Sequence, residues 1–176
     1  ERIQKAKDLD LHLGLEPEPL GSFETTPETI SFFEQLHSYS GNPELSKTVG
    51  VNYDCCHLAV EFESAQFGLN QLMEAGIRLS KLHLSSALRA KPTSQNRDLL
   101  KSFVEDVYLH QVVVGKSGKA ERRYKDLDIA LEDDAANSDD EEWRIHFHVP
   151  LHASPHSTLG DTQKQVLDTL DWLAQN

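Results

Sequence analysis

Cysteine is almost missing from this chain: Cys55 and Cys56 are the only two, and they are neighbours. A vicinal pair seldom closes an unstrained bridge, so a disulfide-stapled scaffold is excluded and a reducing, cytoplasmic setting is expected. No apolar run approaches the roughly 20 residues that a membrane helix needs, so membrane insertion is not expected. Basic residues are scarce as well. Seventeen Lys and Arg against 29 Asp and Glu leave a formal net charge of −12, a field that repels phosphate backbones and argues against a nucleic-acid partner. An initiating Met and a leader are also absent: the chain opens at Glu1 in what reads as the last turns of a helix, Glu1 to Leu9, and so as a piece of something longer. What is present, 38% hydrophobic and 26% charged residues, is the composition of a soluble globular chain of single-domain size.

Periodicity divides the chain into strands and helices. Leu11–Glu16 alternates Leu11, Leu13 and Leu15 against His12, Gly14 and Glu16, and Pro17 and Pro19 stop it. Thr26-Pro27-Glu28 predicts a helix start with Thr26 as N-cap, followed by a stripe of Ile30, Phe33 and Leu36 and a Gly41-Asn42-Pro43 turn. Val49–Asp54 is the next strand, with Gly50, Asn52 and Asp54 sharing a face. A helix through Leu69, Leu72 and Met73 ends near Gly76, and Ile77–Ser85 is a third strand with Lys81, His83 and Ser85 on one face. Strand and helix in alternation imply parallel strands. The rhythm breaks after Ala87: Val107–Val114, the Gly115–Gly118 turn and Arg122–Leu127 read as an inserted hairpin, and Glu132 to Glu142 as a solvated acidic loop. Thr162-x-x-Gln165 resembles a capping box opening a helix whose core side is Val166, Leu167, Leu170 and Leu173.

The stretch from Trp143 to Pro150 carries the most chemistry. Trp143, Ile145, Phe147 and Val149 take one face, leaving Arg144, His146 and His148 on the other. Glu16, Asp54 and His83 stand at or near the C-terminal ends of their strands, where parallel α/β architectures collect functional groups. Asp54-Cys55-Cys56-His57 brings a carboxylate and an imidazole together at a strand-to-helix turn. The expected centre is therefore a divalent metal held by Glu16, Asp54, His57, His83, His146 and His148. Carboxylates and imidazoles without thiolate suit zinc, manganese, cobalt or iron. Small inward residues, Gly14, Gly50 and Ser80, suit a crowded barrel interior.

The runs Leu15-Glu16-Pro17-Glu18-Pro19, Asn52-Tyr53-Asp54-Cys55-Cys56-His57, Tyr108-Leu109-His110-Gln111-Val112-Val113 and Arg144–Pro150 give the chain a resemblance to the xylose isomerase-like TIM barrel superfamily. Within it they are most similar to the metabolite-traffic protein EboE family. The resemblance implies an α/β fold: residues 1–176 as the C-terminal half of one (β/α)₈ barrel, final strand missing, with an insertion at approximately 104–140. It implies a glutamate, an Asp-x-x-His and a histidine as metal ligands, matched by Glu16, Asp54 with His57, and His83. His146-Phe147-His148 stands where endonuclease-IV-like members have Asp-x-His. It also implies an isomerase or epimerase acting on a small polyhydroxylated or carbonyl metabolite, with Glu16 as the base, within a metabolite-export pathway. The alternatives are metal-assisted phosphoester hydrolysis and a non-catalytic carrier of a metabolite.

Each residue also has a plainer role. Asp54 could simply cap a helix, Glu16 could end a turn, and His83 could be a hydrogen-bonded core histidine. Lys81 and Arg144, which face the same interior, are candidate substrate contacts or ion-pair partners of buried carboxylates. Glu18 reads as exposed or supporting a ligand, His110 as structural or part of a lid, His12 as a barrel-layer residue, and His37, His152 and His156 as surface residues. Cys55 and Cys56 read as packing residues. The partner expected is a small-molecule metabolite, with homo-oligomerisation left open.

Overall fold

The computed structural model describes residues 9–133, 140–153 and 158–176. Of the helix predicted over Glu1 to Leu9 only Leu9 is described, and it is not helical; most of the predicted acidic loop and His156 lie outside the described residues. Two sheets organise the rest. The first holds three parallel strands, β1 (Leu13–Leu15), β2 (Val49–Asp54) and β3 (Leu79–His83), in that order. The second holds β4 (Ser86–Ala90), β5 (Val112–Lys116), β6 (Lys119–Tyr124), β7 (Glu141–Val149) and β8 (Gly160–Asp161) in the order β6-β5-β7-β4-β8, every pair antiparallel.

The helices are α1 (Thr26–Ser40), α2 (Leu45–Thr48), α3 (Cys55–Val60), α4 (Ala65–Glu74), α5 (Ser94–Leu100), α6 (Leu127–Glu132) and α7 (Gln163–Leu173). Val51 and Tyr53 of β2 pack against Phe33 of α1, Leu69 and Leu72 of α4, and Val166 and Trp172 of α7. A second core lies under the antiparallel sheet, where Val112, Val114, Trp143 and Ile145 meet Leu100 and Leu127. Among the described residues, no helix is long and apolar enough to cross a membrane.

This is not half a TIM barrel. The parallel βα rhythm holds only through β3, after which the chain passes through Leu84 and Ser85 directly into β4, with no crossover helix. A parallel crossover needs a dozen or more residues; two residues cannot make one, and here they carry the chain into the second sheet. The hairpin β5–β6 pairs with β7 as part of that sheet. The isomerase and metabolite-traffic expectations came with the barrel resemblance, and nothing in this fold supports them. Gly50, expected to relieve a crowded barrel interior, instead admits a neighbouring strand. A Cβ there would overlap the Arg78 carbonyl oxygen, which accepts the Val51 amide at 2.8 Å.

Local corrections follow from competition for partners. The N-cap of α1 is Thr25 rather than Thr26: its hydroxyl accepts from Glu28 N while Glu28 Oε2 accepts from Thr25 N at 3.0 Å, a closed capping box. Thr26 is diverted to Glu63, which accepts from both its amide and its hydroxyl. Thr25→Ala is expected to lower stability by about 1 kcal/mol in urea denaturation, whereas Glu28→Ala should cost less because the hydroxyl cap survives. At α7, Thr162 does not cap; its hydroxyl accepts from Ala87 N of β4 at 2.8 Å. The buried side of α7 is Gln165, Val166, Thr169 and Trp172, while Leu167, Leu170 and Leu173 are exposed.

Candidate metal centre

The face of the parallel sheet turned away from the helices carries the site. Glu16 follows β1, Asp54 ends β2 and His83 ends β3, with Asp54 and His83 as register partners. Glu16 is steered by Asn52, whose Nδ2 donates to its Oε2 at 2.6 Å. Its other oxygen points at the imidazoles, 3.5 Å from His57 Nδ1 and 3.9 Å from His83 Nδ1.

Asp54 does two jobs with its two oxygens. Oδ1 caps α3, accepting from Cys56 N at 2.7 Å and His57 N at 3.2 Å, and also accepts from Ser85 Oγ at 2.5 Å. Oδ2 is buried without a hydrogen bond. It lies 2.5 Å from His83 Nδ1, out of line for a proton, and 3.9 Å from His57 Nε2. Burial pushes the Asp54 carboxyl up, but the facing His57 imidazole and the hydrogen bonds from Ser85 and the His57 amide outweigh it, so the group sits below the usual carboxylate range.

The His57 tautomer is set by the backbone. Its Nδ1 lies 3.0 Å from the Pro17 carbonyl oxygen. A carbonyl can only accept, so Nδ1 carries the proton and Nε2 keeps a lone pair, the arrangement found in metal-bound histidines.

His146 and His148 arrive from the other sheet. The β4–β7 register runs Ala87↔His148 and then Leu88↔Ile145, so β7 bulges by two residues at His146 and Phe147. There the His146 amide turns instead to Gln111 O, at 2.8 Å. A bulge re-aims side chains, and here it brings two imidazoles over α3. The His146 ring centroid is 4.7 Å from that of His57, His148 is 5.6 Å from His57, and His148 is 5.9 Å from His83. Burial, reinforced by His57 and His148, pushes His146 down to about 3. Burial likewise lowers His148, against the opposing pull of Asp54. Neutral imidazole is the metal-binding form.

All six sequence-derived ligand candidates therefore meet in one place. Their donor atoms, with that of Cys56, form three groups that could hold a metal: Glu16, Asp54 and His83; Asp54, His57 and His148; and Cys56, His146 and His148. Within each group the donors lie within 4.8 Å of one another. The other candidates stand apart. Lys81 is exposed, two residues before His83 on the same strand face. Arg144 is engaged by the fold: its guanidinium lies over the Phe62 ring at 3.9 Å and donates to Ala59 O at 2.6 Å and to Glu142 at 2.9 Å. His110 is buried beneath Phe147, with ring centroids 5.2 Å apart.

Sequence reasoning did not single out Asn52 and Ser85 as the residues that hold Glu16 and Asp54. The signal was there in part, since each stands two residues from a ligand on the same strand face. Beside His146 and His148 opens a cavity of about 660 Å³ with Leu20, Val107, Tyr108 and Phe147 in its wall, and Glu18 and Glu105 as its carboxylates. The chain matches no family model, no curated protein and no solved structure.

Proposed function

We propose that this chain is a divalent-metal-dependent hydrolase of small organic esters or phosphoesters. Glu16, Asp54, His57, His83 and His148 would hold zinc, manganese, cobalt or iron, and the substrate would sit in the adjoining cavity. The observation that carries the reading is the Asp54 Oδ2 atom, a buried anionic oxygen with no hydrogen bond and imidazoles on two sides. Leaving such an atom unbonded costs stability, and a cation at that point would satisfy it.

Hydrolysis is favoured over other metal chemistry because Asp54 belongs to two of the ligand groups at once. A carboxylate shared in this way can join two ions, the arrangement that holds both an attacking and a leaving oxygen. A bound ion would acidify water toward neutrality. Glu16, half-buried and held by Asn52, is placed to take the proton. Lys81, exposed beside His83, could meet an anionic group of the substrate. The cavity wall contains two carboxylates and no Lys or Arg, so it suits an uncharged apolar body and leaves the polar oxygens to the metal.

The test strips the protein with a chelator and reloads it with Zn²⁺ or Mn²⁺. It then measures metal content, and p-nitrophenol release from p-nitrophenyl acetate and bis(p-nitrophenyl) phosphate. Tightly held metal and metal-dependent turnover are expected, and Glu16→Gln should slow turnover by roughly 10²–10⁴-fold. Metal binding without turnover of either probe overturns the hydrolase and leaves a binding module. Absence of metal binding overturns the centre itself.

A further inference from the structure

Cys56 reads in the sequence as a packing residue, and part of its environment agrees. It is fully buried in the first turn of α3, against Val60, Ala87 and Val113. Yet its thiol also lies with the donor nitrogens of His146 and His148 in a group within 4.8 Å. Cys55, its neighbour, turns elsewhere, toward Thr169 Oγ1 of α7 at 3.5 Å. One cysteine of the pair serves the α3–α7 interface and the other faces the histidines.

The three ligand groups form a row joined at shared corners. Asp54 joins the group with Glu16 and His83 to the group with His57 and His148; His148 then joins that group to Cys56 and His146. The two ends differ in chemistry. One has two carboxylates and an imidazole, a hard set open to solvent at His83, whose side chain is 44% exposed. The other has a thiol, two imidazoles and no carboxylate; Cys56 is fully buried in α3, while His148 is exposed and borders the cavity with His146. Among the described residues, neither His146 nor His148 spends a ring nitrogen on a hydrogen bond. Their lone pairs are uncommitted, and the β7 bulge that aims them at α3 breaks the β4 ladder.

We propose that Cys56, His146 and His148 form a thiolate–imidazole compartment for a further ion of the zinc type, adjoining the carboxylate compartment and selecting a softer metal. This rests on the metal centre proposed above and extends it. Thiolate with imidazole suits Zn²⁺ or Co²⁺ and disfavours Mn²⁺ and Mg²⁺, which seek oxygen. When the ion binds, the Cys56 S–H bond breaks, its proton leaves to buffer and a metal–sulfur bond forms, with no change in oxidation state.

The chelator-stripped chain, kept reduced with a phosphine, is titrated anaerobically with Co²⁺ while near-ultraviolet absorption is followed. A sulfur-to-cobalt charge-transfer band is expected. It should be absent in Cys56→Ser and retained in Cys55→Ser, and Cys56→Ser should bind one cobalt fewer per chain than the unaltered protein. Mn²⁺ should fail to displace the cobalt that gives the band. If Cys56→Ser does not fold, the unaltered protein and Cys55→Ser still decide the matter, because a band present in both can come only from Cys56. Cobalt binding without the band, or a band lost in Cys55→Ser alone, overturns this proposal and leaves the carboxylate centre standing. No cobalt binding at all overturns both.

Discussion

Asp54→Asn is expected to lower the affinity of the chain for Zn²⁺ by a hundredfold or more while leaving it folded. Asparagine has the same shape, and its oxygen can still accept from the amides of Cys56 and His57, which Asp54 Oδ1 now bonds. Asn and Asp cap helices about equally well, so α3 should keep its start. What changes is the second oxygen. An amide nitrogen in place of Oδ2 would carry protons toward His57 and His83 and offer no lone pair to a cation. Removing only a group that supports a ligand typically costs 10–100-fold in metal affinity, and Asp54 is shared by two ligand groups. Competition with a chelating dye gives the affinity, and a thermal melt of the metal-free protein gives the fold. Unchanged affinity in a folded Asp54→Asn protein would reduce Asp54 to a helix cap and remove the central piece of the site. Asp54→Ala makes the contrasting case, since it should lose the metal and about 1 kcal/mol of stability together.

The site was legible where alternation is strict. In β2 and β7, period-two patterning set Asp54, His146 and His148 on defined faces; β2 forms over Val49–Asp54 as its pattern marks, while β7 starts at Glu141, inside the stretch read as an acidic loop. The Asp-x-x-His spacing was legible because capping fixes how a strand turns into a helix. The architecture beyond β3 was not, because the residues that end the parallel rhythm look local and ordinary. Leu84 and Ser85 carry no turn signal, and Ser86–Ala90 is a short strand with a single exposed residue, Arg89. Its antiparallel partners lie more than fifty residues away, a separation that local pattern cannot read. α7 failed for a different reason. Its three leucines mark an apolar face, but packing chose the face with Gln165 and Thr169, which bond Tyr53 and Cys55. Specific hydrogen bonds across the interface outweighed raw hydropathy. The role of Cys56 was hidden because a cysteine beside apolar residues has the same signature whether it packs or ligates.

Between pH 4.5 and 6.5 the metal-free protein is expected to show almost level stability, because two buried groups pull in opposite directions. His146 is held neutral, its folded value down at about 3 against an ordinary 6.5. A depressed folded value means that its contribution is present above 6.5 and lost as pH falls. Glu61 is the counterweight. Its side chain is buried, and that burial, aided by nearby Glu24 against the partial offset of Arg123, pushes it up to about 7 from 4.5. A raised folded value means that its contribution is complete below 4.5 and lost as pH rises through 7. In the shared window the unfolded chain binds one proton more at His146 and one fewer at Glu61, so the slopes cancel. Glu61→Gln keeps the shape and a donor-acceptor end but removes the titration. In that variant stability should rise by about 3 kcal/mol from pH 4.5 to 6.5, two pH units at about 1.4 kcal/mol each. Conversely, His146→Asn should expose the Glu61 slope, with stability falling over the same interval. Urea denaturation at three pH values in each protein measures the slopes. Profiles that rise equally with pH in Glu61→Gln and in the unaltered chain would mean that Glu61 is ionised throughout, held so by Arg123. The buried pair would then be a permanent salt bridge in place of a titrating carboxyl.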